Sequence, residues 1–111
     1  MKKKLAIIGA GIAGLTLANL IKKKSEHDFM LYEKLDSLSL DEGYGIQLST
    51  NSIKILNTIG FDKVNNEKIF HPRGVDFYNI QNEKICDLDL TQFNNDLNKY
   101  TTLQRSTLIE F

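Results

Sequence analysis

The sequence predicts an α/β fold: an opening strand–helix–strand unit with a parallel sheet, then a β-hairpin, then a strand–helix pair at which the chain ends. Three observations predict it. A charge-free apolar run, Leu5 to Ile8, leads directly into Gly9, Gly11 and Gly14. Apolar residues at helical spacing follow, and then a second apolar run, Phe29 to Tyr32, ends on Glu33. Beyond Gly74 the apolar period changes to alternation, which marks strands.

Leu5 to Ile8 suits a strand buried on both faces, as in a parallel sheet. Gly9, Gly11 and Gly14 fit GxGxxG. The first glycine allows the tight turn, the second lets backbone approach a pyrophosphate, and the third permits close helix-to-strand packing. Ile12, Leu15, Ala18, Leu20 and Ile21 then recur at helical spacing until Lys22, Lys23 and Lys24. A helix starting there aims unpaired N–H groups and the positive end of its dipole at whatever lies over the glycines. Such a motif is weak alone, because glycines crowd many turns. Its context gives it weight: Glu33 stands about 20 residues beyond the turn, where a carboxylate accepts hydrogen bonds from the ribose of a dinucleotide and repels a 2′-phosphate. The plainer reading is a βαβ unit whose glycines serve only packing.

Lys2 to Lys4 followed by Leu5 to Ile21 also has the outline of a secretory signal peptide. A β-run ending in Glu33 and lysines where small cleavage-site residues belong argue against it. The run is short for a membrane span and carries Thr16 and Asn19. With 111 residues, 41% of them hydrophobic and 25% charged, the composition is that of one globular domain. Fourteen basic and fourteen acidic residues balance, which disfavours nucleic acid or an anionic membrane surface as partner. Cys86 is the single cysteine, so no intramolecular disulfide and no thiolate metal site forms. A core position for Cys86 and a cytoplasmic location are expected.

The Leu35 to Tyr44 loop carries turn residues, Ser37, Ser39, Asp41 and Gly43, without a period. Gly45 to Leu48 reads as a short extended piece. Ser49 or Thr50 then caps a helix from Asn51 to Ile59 that Gly60 ends, with Ile53, Leu56 and Ile59 buried and Lys54 and Asn57 wet. His71, before Pro72, and His27, before the second apolar run, read as loop histidines. Val75 to Ile80 and Ile85 to Leu90 alternate around a polar turn, Gln81 to Lys84, and form a hairpin whose packed side is expected to hold Val75, Phe77, Ile85 and Leu88. Thr101 to Phe111 reads as a strand running into a helix capped by Ser106, with Arg105 at the junction. A surface arginine is the default there. The alternative is one that reaches phosphate or ribityl oxygens. Leu108, Ile109 and Phe111 are expected to form an apolar face with nothing left to cover it, an aggregation hazard.

Taken together, GAGIAGLTLA, the acid in LYEK, GYGIQLSTNSIKILNTIGF, the hairpin and QRSTL resemble the N-terminal part of the single-component flavin-dependent aromatic hydroxylases. That family includes para-hydroxybenzoate, salicylate, kynurenine and ubiquinone-ring monooxygenases. The resemblance covers essentially the whole chain, and GxGIxL with its Asn-led helix and the later R-x-x-L are its more specific parts. It implies a Rossmann-like FAD-binding unit, incomplete at the C-terminus. FAD would lie extended, its pyrophosphate on Gly9, Gly11, Ile12, Ala13 and Gly14 and its adenosine ribose on Glu33. Lys34 would stand beside the ribose, Gly45 and Ile46 near the flavin, and Arg105 near the middle of the cofactor.

In such enzymes reduced flavin activates O₂ to hydroxylate a small aromatic substrate, with NAD(P)H as electron donor, so no catalytic side-chain constellation and no metal site is expected. Asp41, Glu42 and Gly43 stand where many relatives carry an arginine. The family's later Asp-Gly and Gly-Asp segments and its substrate-binding sheet are absent from the sequence. The resemblance therefore implies a fragment without turnover and with weak FAD binding or none. Another FAD- or NAD-dependent oxidoreductase, or a non-catalytic dinucleotide-binding remnant, are the alternatives. The sequence leaves the substrate, the choice of NADH or NADPH and the oligomeric state open.

Overall fold

The computed structural model describes residues 1–38, 40 and 43–111. Strand β1 (Lys4–Ile8) pairs in parallel with β2 (Asp28–Tyr32), Ile7 opposite Leu31, and helix α1 (Ile12–Lys24) crosses between them. The period of two puts Leu5, Ile7, Phe29 and Leu31 on one face, where they pack with Ala18 and Ile21 of α1. The expectation that β1 is buried on both faces is not met. Ala6, Met30, Tyr32 and Ile8, the last 80% exposed, lie on a face that α1 does not cover.

The second core is built on an antiparallel sheet in the order β3–β7–β4, from β3 (Gly45–Leu48), β7 (Thr101–Gln104) and the two-residue β4 (Ile69–Phe70). Helices α2 (Thr50–Asn57) and α3 (Arg105–Glu110) close it, with Ile53, Leu56, Phe61, Leu103 and Leu108 buried together. Ile12, the first residue of α1, packs against this same cluster, as does Ile46. α1 therefore joins the two cores: its later turns hold the parallel pair and its first residue rests on the second.

Four further details differ from the sequence reading. The apolar face of α3 is covered: Leu108 and Ile109 are buried, and the Phe111 ring meets Phe61 edge-on at 5.4 Å. An aromatic pair of this kind adds about 0.5–1.5 kcal/mol beyond its area. Gln104, not Ser106, occupies the cap position of α3, because β7 ends at Gln104 and the helix begins at Arg105, two residues earlier than the hydroxyl pattern suggests. Asn57 is half-buried rather than wet, its amide Nδ2 donating to the Leu97 carbonyl at 2.9 Å. Ser49 stands at the N-cap of α2 as expected, but its hydroxyl meets Asn51 Oδ1 and Ser52 Oγ instead of a backbone N–H.

The hairpin pairs β5 (Gly74–Tyr78) with β6 (Lys84–Asp89), with an irregularity between Phe77 and Tyr78. Asn79 organises its turn, its side-chain oxygen accepting from the Gln81 and Glu83 N–H groups, and Asn82 takes the left-handed conformation. Val75 faces Leu88 and Phe77 faces Cys86, while Ile85, skipped by the register shift, has no partner across the ladder. Val75 is half-buried, but Phe77, Ile85 and Leu88 are exposed, and Cys86 is exposed rather than in a core. Among the described residues no helix is long and apolar enough to cross a membrane.

Candidate functional site

The turn between β1 and α1 is shaped by three glycines, each for its own reason. Gly9 has φ +99°, a conformation other residues enter only with strain. A Cβ on Gly14 would lie 1.9 Å from the Gly9 carbonyl oxygen, so the third glycine lets the helix close on the strand. Gly11 caps α1 with φ −77°, and a Cβ there would meet nothing within 4 Å. Open space above a backbone with no side chain, at the start of a 13-residue helix, is a cradle for an anion. No acidic residue occupies the first turn of α1, so the positive end of its dipole is not neutralised from within.

Glu33 follows β2 directly and turns back to the glycines. Its Oε2 accepts the Ala10 N–H at 2.7 Å and its Oε1 the Leu35 N–H at 3.1 Å. The Ala10 bond first and the Leu35 bond second hold this carboxyl below its ordinary value, against an opposing effect of desolvation. Lys34 beside it adds a favourable charge. The carboxylate is ionised, fixed in direction and exposed. Each oxygen keeps a second lone pair for a ligand hydroxyl.

Gly45, Ile46 and Arg105 form a second group on the antiparallel sheet. Gly45 lies opposite Gln104 and Ile46 opposite Leu103, and the Arg105 N–H donates to the Tyr44 carbonyl at 3.1 Å. The Arg105 guanidinium sits 5.8 Å from the Tyr44 ring centroid, a cation–π arrangement. A Cβ on Gly45 would make only ordinary contact with the Leu103 carbonyl at 3.9 Å, so packing does not demand glycine there. An open cleft of about 720 Å³ runs past Gly45, Phe70, Gln104 and Ser106. The structure brings Gly9, Gly11, Ile12, Ala13, Gly14, Glu33 and Lys34 together as one group and Gly45, Ile46 and Arg105 as another, joined through the core that Ile12 and Ile46 share. Tyr44 and Ala10 are the participants missed in the sequence; Tyr44 lies in a stretch without a period, and nothing local announces either.

His71 is exposed, as a loop histidine should be. Its Nδ1 lies 3.2 Å from the Tyr100 carbonyl and 3.1 Å from Thr101 Oγ1, a hydroxyl that itself donates to the Lys99 carbonyl. The proton therefore sits on Nδ1, and the ring fastens the start of β7. Ser39, Asp41 and Glu42, including the positions that replace the relatives' arginine, lie outside the described residues.

A strand, a glycine turn, a helix and an acid after the second parallel strand make a Rossmann-like βαβ unit. Residues 7–41 match the family model of the NAD(P)-binding Rossmann-like domain. Much of the chain is similar in sequence to a portion of FAD-dependent monooxygenases. It is 34% identical over 86 residues to the FAD-dependent monooxygenase anuJ of Penicillium roqueforti, covering 76% of this chain and 9% of that protein. The structure of 2-methyl-3-hydroxypyridine-5-carboxylic acid oxygenase superposes with a TM-score of 0.77 at 23% identity, over 98% of this chain and 27% of that one. Klebsiella pneumoniae HpxO, in complex with FAD and uric acid, superposes with a TM-score of 0.73 at 22% identity, over 97% of this chain and 27% of that one. The chain thus spans less than a third of the length of the curated relatives it matches.

Proposed function

We propose that the chain is the FAD-binding amino-terminal part of a flavin-dependent monooxygenase that hydroxylates an aromatic or similar small substrate with O₂ and NAD(P)H. The observation that carries this reading is the open cradle over Gly11, with the ionised Glu33 carboxylate held at its side. The pyrophosphate of FAD is held by backbone N–H groups of the Gly9–Gly14 turn and the start of α1, including Ile12 and Ala13, and the adenosine ribose by Glu33 with Lys34 beside it. Gly45, Ile46 and Arg105 serve the flavin side, where a guanidinium can pair with phosphate or ribityl oxygens. The flavin supplies the redox chemistry; the side chains bind and orient it, so no catalytic side chain is assigned. Ring-containing compounds named with the similar structures, a hydroxypyridine carboxylate and uric acid, support the substrate class. A cytoplasmic location fits the single cysteine and balanced charge. For the 111 residues alone, weak FAD binding or none, and no turnover, is the expected outcome.

A nicotinamide dinucleotide in the same seat is the second reading, favoured by the family model over residues 7–41. Purifying a protein that carries this sequence as its amino-terminal part, and recording its visible spectrum, decides between them. Bound flavin is expected; a colourless protein that binds only NAD(P)H overturns the first reading. In the same protein Gly11→Val is expected to abolish flavin retention while the circular-dichroism spectrum stays unchanged, because the new side chain enters empty space and not the core.

A further inference from the structure

Two N–H groups of the glycine turn are engaged by the chain itself. The Gly9 N–H donates to the Tyr32 carbonyl at 2.7 Å, and the Ala10 N–H donates to Glu33 Oε2 at 2.7 Å. The last residue of β2 and the acid after it therefore strap the turn at consecutive positions. Ala10 is buried, 7% exposed, so an amide released from this bond has little water to turn to. No side chain of α1 fixes the turn from the other end, since its cap is Gly11. A carboxylate whose sole task was to meet a ribose would have no need of this anchorage. With Oε1 on the Leu35 N–H, the side chain is fastened on both oxygens.

We propose that Glu33 is a positioning residue that, before any nucleotide arrives, holds the Gly9–Gly14 turn in its anion-receiving shape by accepting the Ala10 N–H. The proposal rests on the dinucleotide reading of the turn and assigns its acid a second task. It also sorts the donors: the Gly9 and Ala10 N–H groups are taken by β2 and Glu33, which leaves the pyrophosphate to the groups from Gly11 onward. The strap needs the ionised carboxylate for full strength, since a charged acceptor binds roughly twice as strongly as a neutral one. Lys34 is the charged neighbour that acts on it among the described residues. The lowered proton affinity of Glu33 agrees with the strap and keeps it fastened at neutral pH.

The test uses the ligand-free, ¹⁵N-labelled 111-residue chain. On acid titration the Ala10 and Leu35 amide resonances are expected to move together, with a midpoint below the ordinary value of 4.5. Glu33→Gln, which keeps an acceptor oxygen, is expected to abolish that titration while Ala10 stays protected from exchange. Glu33→Ala is expected to speed Ala10 exchange by about tenfold or more. An Ala10 resonance that ignores the titration of Glu33 overturns the proposal, as does unchanged Ala10 exchange in Glu33→Ala; if both variants unfold, the unsubstituted chain decides. All readouts are made without nucleotide, so a protein that proves to lack flavin overturns the cofactor reading and leaves the strap standing, and the reverse holds equally.

Discussion

At the scale of single residues, the turn tolerates change at one glycine and not at another. Gly14 has a backbone oxygen, not a flexible side chain, in the path of any Cβ. Gly14→Ala is therefore expected to destabilise the chain by about 1–3 kcal/mol through overpacking, read as a lowered urea midpoint. An unchanged midpoint would mean that helix and strand stand further apart than described. Substitution at Gly11 meets no packed atom and is expected to act chiefly on binding, so the two variants separate packing from recognition. The spacing of Gly9, Gly11, Gly14 and Glu33 made this part of the site legible in the sequence, since each conformational demand is local. That one oxygen of Glu33 is committed to Ala10 was not legible, because spacing fixes where an acid stands and not what it touches. The Arg105 stack on Tyr44 was hidden for a similar reason: it exists only once β3 and β7 are in register.

Among the elements, α3 shows best what a sequence hides. Its apolar residues are plain to see, but their partners, Phe61 and the surfaces of α1 and α2, come from much earlier in the chain. Leu108→Ala is expected to cost about 2–5 kcal/mol, a large part of the 5–15 kcal/mol typical of a domain, measured by denaturant unfolding. Leu97→Ala, at a site 81% exposed, serves as control and is expected to stay within about 0.5 kcal/mol. β1, α1, β2, β3 and both hairpin strands were legible because glycine punctuation and a steady period coincide. β4 was not: two residues carry no period, and its pairing with β7 is set by distant sequence. Cys86 and Ile85 misled because alternation signals a strand without revealing whether anything covers it.

At the scale of the whole molecule, Glu33, Asp89 and Lys84, all at the surface, have pKa values shifted by identifiable neighbours. Glu33 is lowered chiefly by the Ala10 N–H, and Asp89 chiefly by the Thr91 hydroxyl. Lowered acids contribute stability that is present above their unfolded values and lost as pH falls through the folded ones. Lys84, between Asp87 and Asp76, is raised; its contribution is present below its unfolded value and lost as pH climbs through the higher folded one. Thermal scans are expected to show a melting temperature that declines below about pH 4.5 and again at strongly alkaline pH, with both limbs softened by salt. A melting temperature that rises on acidification would contradict the placement of Glu33 and Asp89. The radius of gyration is 17.2 Å, with extents of 56 × 32 × 25 Å, against about 13 Å for a compact domain of this length. A molecule so drawn out tumbles and diffuses like a heavier sphere. A gel-filtration volume read against globular standards would thus assign the 12.7 kDa chain too large a mass, and what looks like pairing on such a column is, to that extent, only its length.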